Sequence, residues 1–313
     1  MARAGSKVSI LIPTFNQEAF IGECISSALQ QTYGDLEVVV SDDASTDATG
    51  RIARELKADP RLRYERNPVN LGRVGNYRRL LTELASGDWV LMLDGDDCLT
   101  NPSYVERAME LALSAADIVL VFGKELRGRD IATATVFRAA DLPPLMDGSA
   151  FFLAHPPFGD VEPLQLTCLV RRNAALRADF YRADILSSDF ESYYRLMLGH
   201  RVGFVDEIAG LWRQHELNAS KSCSYPVYRS NFRALLGPYE NAAALNIFPP
   251  RELKAWLRKG AGRYLLFCLR RLMVNGRMLD AMRMLAYVVS VDPAILGHAL
   301  GRLARRTRRG LGG

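Results

Sequence analysis

The chain has 313 residues, of which 49% are hydrophobic and 24% are charged, and its formal net charge is +5. This length and composition predict a large hydrophobic core and about two structural units, without internal repeats or low-complexity tracts. The apolar segment near the N-terminus is far shorter than the roughly 20 residues of a membrane-spanning helix, and no secretory signal precedes it, so we expect a cytoplasmic protein. Five cysteines, scattered without C-x-x-C spacing, indicate reduced thiols and argue against a disulfide framework or a zinc site.

The N-terminal part of the chain alternates between strand and helix patterns. A β-branched apolar run at residues 7–15 predicts a strand, and residues 20–29 carry apolar side chains on one helical face. A second predicted strand, at residues 36–40, leads through a cap-rich segment into a helix at residues 48–56. This order indicates an open parallel α/β sheet, in which ligands bind outside the carboxyl ends of the strands.

Acidic residues follow two predicted strands at those ends. Asp42 and Asp43 come after the strand at residues 36–40. A helix N-cap is the local alternative for this pair, but a cap needs only one carboxylate.

The second acidic cluster follows a short apolar run at residues 90–93, which predicts a buried strand. Three carboxylates crowd around Gly95, namely those of Asp94, Asp96 and Asp97. Like charges are unfavourable together unless a cation neutralises them, and these oxygen ligands suit Mg²⁺ or Mn²⁺ shared with substrate phosphates. The alternative is a solvated acidic turn, because Asp and Gly are favoured in turns.

Between the two clusters, residues 70–81 contain three arginines, which are natural partners of a phosphate group. Arg73 is the preferred candidate because its loop is flanked by glycines. Arg78 and Arg79 are assigned to a solvated helix face.

The second half of the chain has a looser pattern. It predicts a strand at residues 117–122, loops through residues 128–160 and a β-like run at residues 165–171. A helix is predicted within residues 185–198, and a last strand at residues 202–208.

Residues 251–313 carry fourteen lysines and arginines against three acidic residues, a net charge of +11. Helical patterns are predicted at residues 253–274 and 279–289, whereas residues 301–313 are expected to be frayed. Two interpretations stay open: peripheral contact with an anionic membrane, or a helical subdomain with a solvated basic rim. Nucleic acid is not expected as a partner, because aromatic residues do not interleave with the basic ones.

Four ordered blocks carry a resemblance to a known family: VSILIPTFNQ, VVVSDDASTDAT, NLGRVGNYRRLL and GDWVLMLDGDD. They resemble the nucleotide-binding half of the inverting family-2 glycosyltransferases, closely over residues 6–100 and more loosely over residues 165–220. The resemblance implies a GT-A-like α/β fold, with a mostly parallel, Rossmann-type sheet flanked by helices and a C-terminal helical appendage. The chain has neither a G-x-G-x-x-G motif nor a P-loop, which argues against dinucleotide and ATP binding.

The domains implied are a catalytic domain at residues 1–222 and a helical region with a basic tail at residues 223–313. The catalytic domain divides into a nucleotide-binding half, residues 1–100, and an acceptor half, residues 101–222.

The resemblance also implies roles for individual residues. The implied nucleotide-binding residues are Pro13, Phe15, Asp42, Asp43, Arg73 and Asp94. The implied metal ligands are Asp94, Asp96 and His215, with Asp96 the stronger candidate for direct ligation.

Asp189 is the implied general base, within the helix predicted at residues 185–198. The family has an acidic pair here, and Ser188 stands where its first acid is usual. Asp184 and Glu191 are the alternatives for the base. A structural alternative for Asp189 is a favourable interaction with the helix dipole.

The function implied is transfer of a sugar from a nucleoside-diphosphate sugar, with UDP or dTDP favoured, to an acceptor hydroxyl with inversion. The cofactor implied is Mg²⁺ or Mn²⁺, and the acceptor is a glycan or glycolipid in surface polysaccharide or glycolipid synthesis. Two alternatives stay open: transfer to a polyprenyl phosphate, and a non-catalytic nucleotide-sugar-binding subunit.

Overall fold

The computed structural model describes residues 6–137 and 141–310, with the backbone alone for residues 304–310. Within these ranges, ten strands form one sheet: β1 Val8–Thr14, β2 Leu36–Asp42, β3 Leu62–Arg66, β4 Trp89–Met92, β5 Cys98–Leu99, β6 Ile118–Gly128, β7 Thr135–Phe137, β8 Leu145–Asp147, β9 Leu169–Arg171 and β10 Arg201–Arg213. The α-helices are α1 Ile21–Leu29, α2 Thr49–Glu55, α3 Arg73–Arg79, α4 Tyr104–Ala112, α5 Gly148–Ala154, α6 Arg172–Arg177, α7 Ser188–Leu196, α8 Tyr225–Asn231, α9 Arg233–Leu245, α10 Pro250–Val274, α11 Met278–Val291 and α12 Ile295–Gly310.

The chain forms two compact units. The first, here called the sheet unit, consists of Met1–Ser149, Pro163–Asp184 and Leu196–His215. The second, the helical unit, consists of Ala150–Glu162, Ile185–Arg195 and Glu216–Gly313. The predicted domain boundary after residue 222 divides the chain at one point and stays a prediction. The compact units divide the chain at several points, because Ala150–Glu162 and Ile185–Arg195 belong to the same unit as the C-terminal helices.

The sheet has the strand order β3-β2-β1-β4-β9-β6-β10-β5, with β7 paired to β6 and β8 paired to β10. Strands β3, β2, β1 and β4 are parallel neighbours. β9 lies antiparallel between β4 and β6, and β6 is parallel to β10. The predicted mostly parallel sheet is therefore confirmed for its N-terminal half and interrupted by an antiparallel strand in the middle.

Burial of β1 explains its continuous apolar run. All seven of its residues are buried, and Ile10 pairs with Val38 on one side and Leu91 on the other. A strand inside a parallel sheet is covered on both faces, so it reads as uninterrupted apolar sequence rather than as alternation.

The strand register aligns the carboxyl ends of β1, β2 and β4. Thr14 pairs with Asp42 at the ends of β1 and β2, and the Leu93 N–H donates to the Leu11 carbonyl at 2.9 Å just after β4. Both acidic clusters therefore emerge at the same edge of the sheet.

Several predicted elements of the second half differ from the structure. The β-like run at 165–171 is a 3-10 turn, Gln165–Thr167, followed by β9. Residues 128–160, predicted as loops, contain β7, β8 and α5. The predicted strands at 117–122 and 202–208 extend further, as β6 and β10, and register shifts interrupt their pairing.

The helical unit is organised around stacked aromatic rings. Phe152 and Trp256 stack at 4.3 Å between centroids, and the Trp256 Nε1–H donates to the Phe152 carbonyl at 2.6 Å. Residues 301–310 continue α12, so the expectation that they are frayed is wrong for this part of the tail; residues 311–313 lie outside the described residues. In the described part of the chain, the helices lack the combination of length and apolarity needed to span a bilayer.

Candidate functional site

Asp43 is held by the loop that precedes α3. Its Oδ1 accepts hydrogen bonds from the Asn67 side chain at 2.6 Å and from the Leu71 N–H at 2.8 Å. Among the described residues, none donates to its Oδ2. The carboxylate is therefore fixed by one oxygen and has the other available to accept a hydrogen bond.

Asp42, the preceding residue, is engaged through both oxygens. Its Oδ2 accepts from the Tyr64 hydroxyl at 2.6 Å and from Arg66 at 2.9 Å, and its Oδ1 accepts from the Ser45 N–H at 2.8 Å. The side chain is fully buried. These contacts fit a residue that shapes the loop, and its predicted contact with a nucleotide stays untested.

A buried polar network lies beneath Asp43. The Ser41 hydroxyl donates to the Asn76 side-chain oxygen at 2.6 Å, and the Asn76 amide donates back to the Ser41 carbonyl at 2.8 Å. Arg79 donates to Asn67 and to Ser41 from α3. The assignment of Arg79 to a solvated helix face is therefore wrong, because its guanidinium completes this network.

Asp94 is fixed by two residues from other parts of the sheet unit. The Tyr77 hydroxyl donates to Asp94 Oδ1 at 2.6 Å, and the Gln165 amide lies 3.1 Å from both carboxylate oxygens. Arg73 donates to the Tyr77 hydroxyl at 3.3 Å. Burial raises the pKa of Tyr77 well above its usual value, and the Asp94 charge raises it further, so the phenol stays a neutral donor.

Asp96 pairs with the predicted metal ligand His215. Asp96 Oδ2 and His215 Nε2 are 2.8 Å apart, and the two side chains are 14% and 18% exposed. Phe20 supports the imidazole, with ring centroids 4.8 Å apart. The structure therefore brings together two predicted ligands that are far apart in the sequence.

Asp97 turns inward, unlike its two acidic neighbours. Its Oδ1 accepts from the Arg213 N–H at 2.8 Å. Burial raises the pKa of Asp97 well above its usual range, and the charges of Asp96 and Asp94 raise it further, against the lowering by the Arg213 N–H. Burial and the neighbouring charges therefore favour the protonated form of the Asp97 carboxyl group.

Gly95 allows the acidic loop to lie directly on the end of β1. A Cβ at this position would lie 3.0 Å from Thr14 Oγ1 and 3.1 Å from the Pro13 carbonyl, besides clashing with the Gln17 side chain. The Gly95 N–H donates to that carbonyl at 3.1 Å. Pro13 is buried here, whereas Phe15 is 46% exposed and has a ring surface available for stacking.

The donor chemistry of this edge fits a divalent cation. Asp96 supplies an oxygen atom and His215 a nitrogen atom, and the two atoms lie close together in space. This pair of ligand atoms suits Mn²⁺ and is compatible with Mg²⁺. Among the described residues, no group of three or more His, Cys, Asp or Glu side chains is placed to hold a metal. A cation at this site would thus need oxygen atoms from substrate phosphates or water to complete its coordination.

The predicted base lies in the other unit. Asp189 is in the first turn of α7, within the helical unit. Glu191 is buried and paired with Arg195 at 2.8 and 3.0 Å, and Asp184 is exposed. Ser188 is buried, and in the described structure its hydroxyl has no hydrogen-bond partner.

Sequence reasoning missed several residues that build the site, namely Asn67, Asn76, Tyr77, Gln165 and Arg213. Asn76 lies within the recognised block NLGRVGNYRRLL, and Asn67 comes shortly before it. A polar residue such as Asn76 within an apolar helix pattern was a usable signal. Gln165 had no local signal, because its role depends on where β9 pairs.

The family model described as Glycosyl transferase family 2 matches residues 9–130. These residues form a family 2 glycosyltransferase domain. The resemblance carried by the four sequence blocks is thereby confirmed. The family 2 domain contains both acidic clusters, whereas Asp189 and His215 lie beyond residue 130.

Two curated relatives match part of the chain. Poly(ribitol-phosphate) beta-N-acetylglucosaminyltransferase TarS of Staphylococcus aureus is 28% identical over 152 residues, which are 48% of this chain and 26% of TarS. GalNAc(5)-diNAcBac-PP-undecaprenol beta-1,3-glucosyltransferase of Campylobacter jejuni is 40% identical over 93 residues, 29% of this chain and 30% of that protein. The chain thus matches less than a third of the length of either relative.

Solved structures match nearly the whole chain. The crystal structure of S. aureus TarS 1-349 in complex with UDP-GlcNAc has a TM-score of 0.73 at 18% identity, and the match covers 95% of this chain and 85% of that one. The mannosyltransferase PcManGT of Pyrobaculum calidifontis, in complex with GDP-Man and Mn²⁺, has a TM-score of 0.57 at 18% identity, with coverage of 97% and 80%. At such identities the likeness shows the fold alone, and it confirms the predicted GT-A fold of the family 2 domain.

Proposed function

We propose that the protein transfers a sugar from a UDP- or dTDP-linked donor to an acceptor hydroxyl, with inversion and with a divalent metal. The observation that carries the proposal is the pairing of Asp96 and His215 at 2.8 Å, at the sheet edge where the family 2 domain also presents Asp43. A single displacement by the acceptor inverts the anomeric carbon and needs no covalent intermediate.

The proposed preference for uracil or thymine bases depends on Asp43. These bases carry an N3–H donor, and Asp43 Oδ2 is an acceptor that no described residue engages. Phe15, exposed near the end of β1, would pack on the base, and Arg73 would approach the phosphates.

Asp96 and His215 would hold the metal, with Asp94 kept in place by Tyr77 and Gln165. When bound, a divalent cation neutralises the charge that develops on the diphosphate leaving group. Because both oxygens of Asp94 already accept hydrogen bonds from Tyr77 or Gln165, we expect Asp96 to be the stronger direct ligand.

Asp189 stays our proposal for the base that removes the proton from the acceptor hydroxyl. Glu191 is a weaker candidate because it is buried and both of its carboxylate oxygens accept hydrogen bonds from the Arg195 guanidinium. We further propose a glycan or glycolipid acceptor and a cytoplasmic site of action, by analogy with the acceptors in the relatives' names.

A second candidate is a non-catalytic nucleotide-sugar-binding subunit. One observation favours it: Ser188, with its buried hydroxyl, stands where the family usually has an acid. This candidate predicts donor binding without transfer to any acceptor.

Calorimetry with nucleoside diphosphates tests the binding part of the proposal. With Mn²⁺ present, UDP or dTDP should bind more tightly than GDP or ADP. Asp96→Asn should remove the gain that Mn²⁺ gives, whereas Asp43→Ala should weaken UDP or dTDP even without metal, because it removes the acceptor for N3–H.

Asp88→Asn is a matched control, since Asp88 is exposed and precedes β4 while Asp96 follows it. The control should bind like the wild type. Unchanged affinity in both test variants would overturn the nucleotide-sugar assignment, and the anomeric configuration of a product, read by NMR, would decide between inversion and retention.

A further inference from the structure

The turn between α10 and α11, together with the outer side of α11, exposes an unusual amount of apolar surface within the helical unit. Val274 is 81% exposed and Leu279 is 72% exposed. This surface, here called the α10–α11 tip, consists of Met273, Val274, Met278, Leu279, Met282 and Leu285. Clustered exposed apolar side chains indicate a surface that meets a partner.

Helix α11 is apolar on two sides. Ala281, Met284 and Val288 are buried, as expected for the inner face of a surface helix. At 100° per residue, Met278, Met282 and Leu285 form a second stripe on a different face. A surface helix in water normally carries polar residues there, so the second stripe is unexplained by the fold of the helical unit.

The charged residues around the tip are almost all basic. Between residues 270 and 291 the sequence has four arginines and one acidic residue, Asp280. The Asp280 side chain is only 9% exposed and pairs with Arg277 at 2.7 Å and Arg283 at 3.6 Å. The side chains of Arg277 and Arg283 are 45% and 65% exposed, so the tip offers guanidinium groups but almost no carboxylate to an approaching surface.

We propose that the α10–α11 tip docks on an anionic lipid surface, with its apolar side chains in the interfacial layer and its arginines against the headgroups. Apolar residues flanked by arginines are the combination that such interfaces bind. A second copy of the chain fits this surface less well, because residues 251–313 carry a net charge of +11 that would be repeated on the partner. The inference is independent of the proposed catalytic function.

Vesicle sedimentation tests the inference on the full chain. The probes are vesicles of phosphatidylcholine alone and vesicles of equal parts phosphatidylcholine and phosphatidylglycerol. The wild type should sediment with the anionic vesicles only, and added salt should weaken binding by screening the arginines.

The test variant combines Val274→Ser, Leu279→Ser and Met282→Ser, which are exposed changes that leave the buried face of α11 intact. It should lose vesicle affinity by about tenfold or more, because three apolar side chains no longer enter the interface. Leu245→Ser, on α9 and 52% exposed, is the matched control and should bind like the wild type. Unchanged thermal unfolding and UDP affinity of the triple variant would separate a docking defect from a folding or donor-site defect.

Three results would overturn the proposal. The first is no sedimentation of the wild type with anionic vesicles, and the second is equal sedimentation of the triple variant and the wild type. The third is a wild type that does not bind vesicles but self-associates in light scattering, together with a triple variant that does not self-associate. This result would assign the tip to an interface with a second copy of the chain. If UDP binding fails while vesicle binding holds, the proposed function falls and this inference stands.

Discussion

Two adjacent aspartates in this protein have different surroundings, and those surroundings predict different roles. Asp42 receives three hydrogen bonds across both oxygens, whereas Asp43 receives two on one oxygen. A carboxylate with both oxygens hydrogen-bonded inside the protein stabilises a loop. A carboxylate with one oxygen that accepts no hydrogen bond from the protein can accept one from a ligand. A sequence that reads Asp-Asp contains no sign of this difference.

Asp189→Asn tests the assignment of the base. The amide keeps the shape of the side chain but cannot accept the proton, so we expect unchanged donor affinity and a loss of turnover of about a hundredfold or more. The measurement is steady-state transfer beside calorimetric binding of the donor.

Glu191→Gln is the comparison for that variant. It breaks the buried ion pair with Arg195 and should lower the free energy of unfolding, because the buried Arg195 guanidinium loses this carboxylate partner. Turnover of Asp189→Asn within a few fold of wild type would pass the role to Asp184 or Glu191, and equal loss of donor binding and turnover would make Asp189 structural.

At the scale of single residues, the sequence predicted the acidic clusters because polar groups interrupt apolar runs at strand ends. It did not predict Tyr77 and Gln165, which hold Asp94. An aromatic residue in an amphipathic helix looks the same whether its hydroxyl has a carboxylate partner or not. Such pairings depend on tertiary contacts, which local patterns do not contain.

The element that closes the acidic loop is β10. Its residues Gly210 and Leu211 pair antiparallel with Leu99 and Cys98 of β5, which directly follows Asp97. Arg213, at the end of β10, donates its N–H to Asp97 and its side chain to the Asp96 carbonyl. The position of the loop is therefore fixed by a strand more than one hundred residues away.

Gly210→Ala should disturb this closure. A Cβ at residue 210 would collide with the Cys98 carbonyl and lie 3.0 Å from Leu99 Cα, so β5 must move away from β10. We expect a loss of about 1–3 kcal/mol in the free energy of unfolding and weaker Mn²⁺-dependent UDP binding, measured by urea unfolding and calorimetry.

Gly34→Ala is the control, because a Cβ there would meet nothing within 4 Å. It should change neither measurement appreciably. Identical unfolding midpoints for the two variants would mean that β5 can shift without a loss of stability and does not fix the position of the acidic loop.

The elements of the N-terminal half were predictable because buried parallel strands are continuous apolar runs and their helices carry one apolar face. The order of the strands in the second half could not be predicted from the sequence. β9 has three residues, and nothing in so short a run indicates that it inserts antiparallel between β4 and β6.

The stability of the whole molecule should fall in acid, and Glu37 is a defined contributor. Burial alone would raise the pKa of Glu37, but hydrogen bonds from Ser9, Ser86 and Lys7 lower it from 4.5 to about 2. The folded chain then binds fewer protons than the unfolded chain between these values, so this contribution is complete above about pH 4.5 and is lost as the pH falls towards 2.

Glu37→Gln should therefore lower the unfolding temperature near neutral pH and reduce its decline between pH 4.5 and 2. Glu55→Gln is the control, since its ion pair with Arg51 is exposed on α2 and such pairs contribute little. Parallel acid profiles for Glu37→Gln and the wild type would contradict the assignment.

The late position of His215 in the chain has a consequence for biosynthesis. During translation the acidic loop leaves the ribosome well before its imidazole partner, which lies 119 residues further on. In the nascent chain, Asp94, Asp96 and Asp97 therefore repel one another without Arg213 or His215 beside them. If the protein binds a nucleotide with a metal as proposed, that binding requires the finished sheet, and a ribosome-bound chain stalled before β10 should not show it.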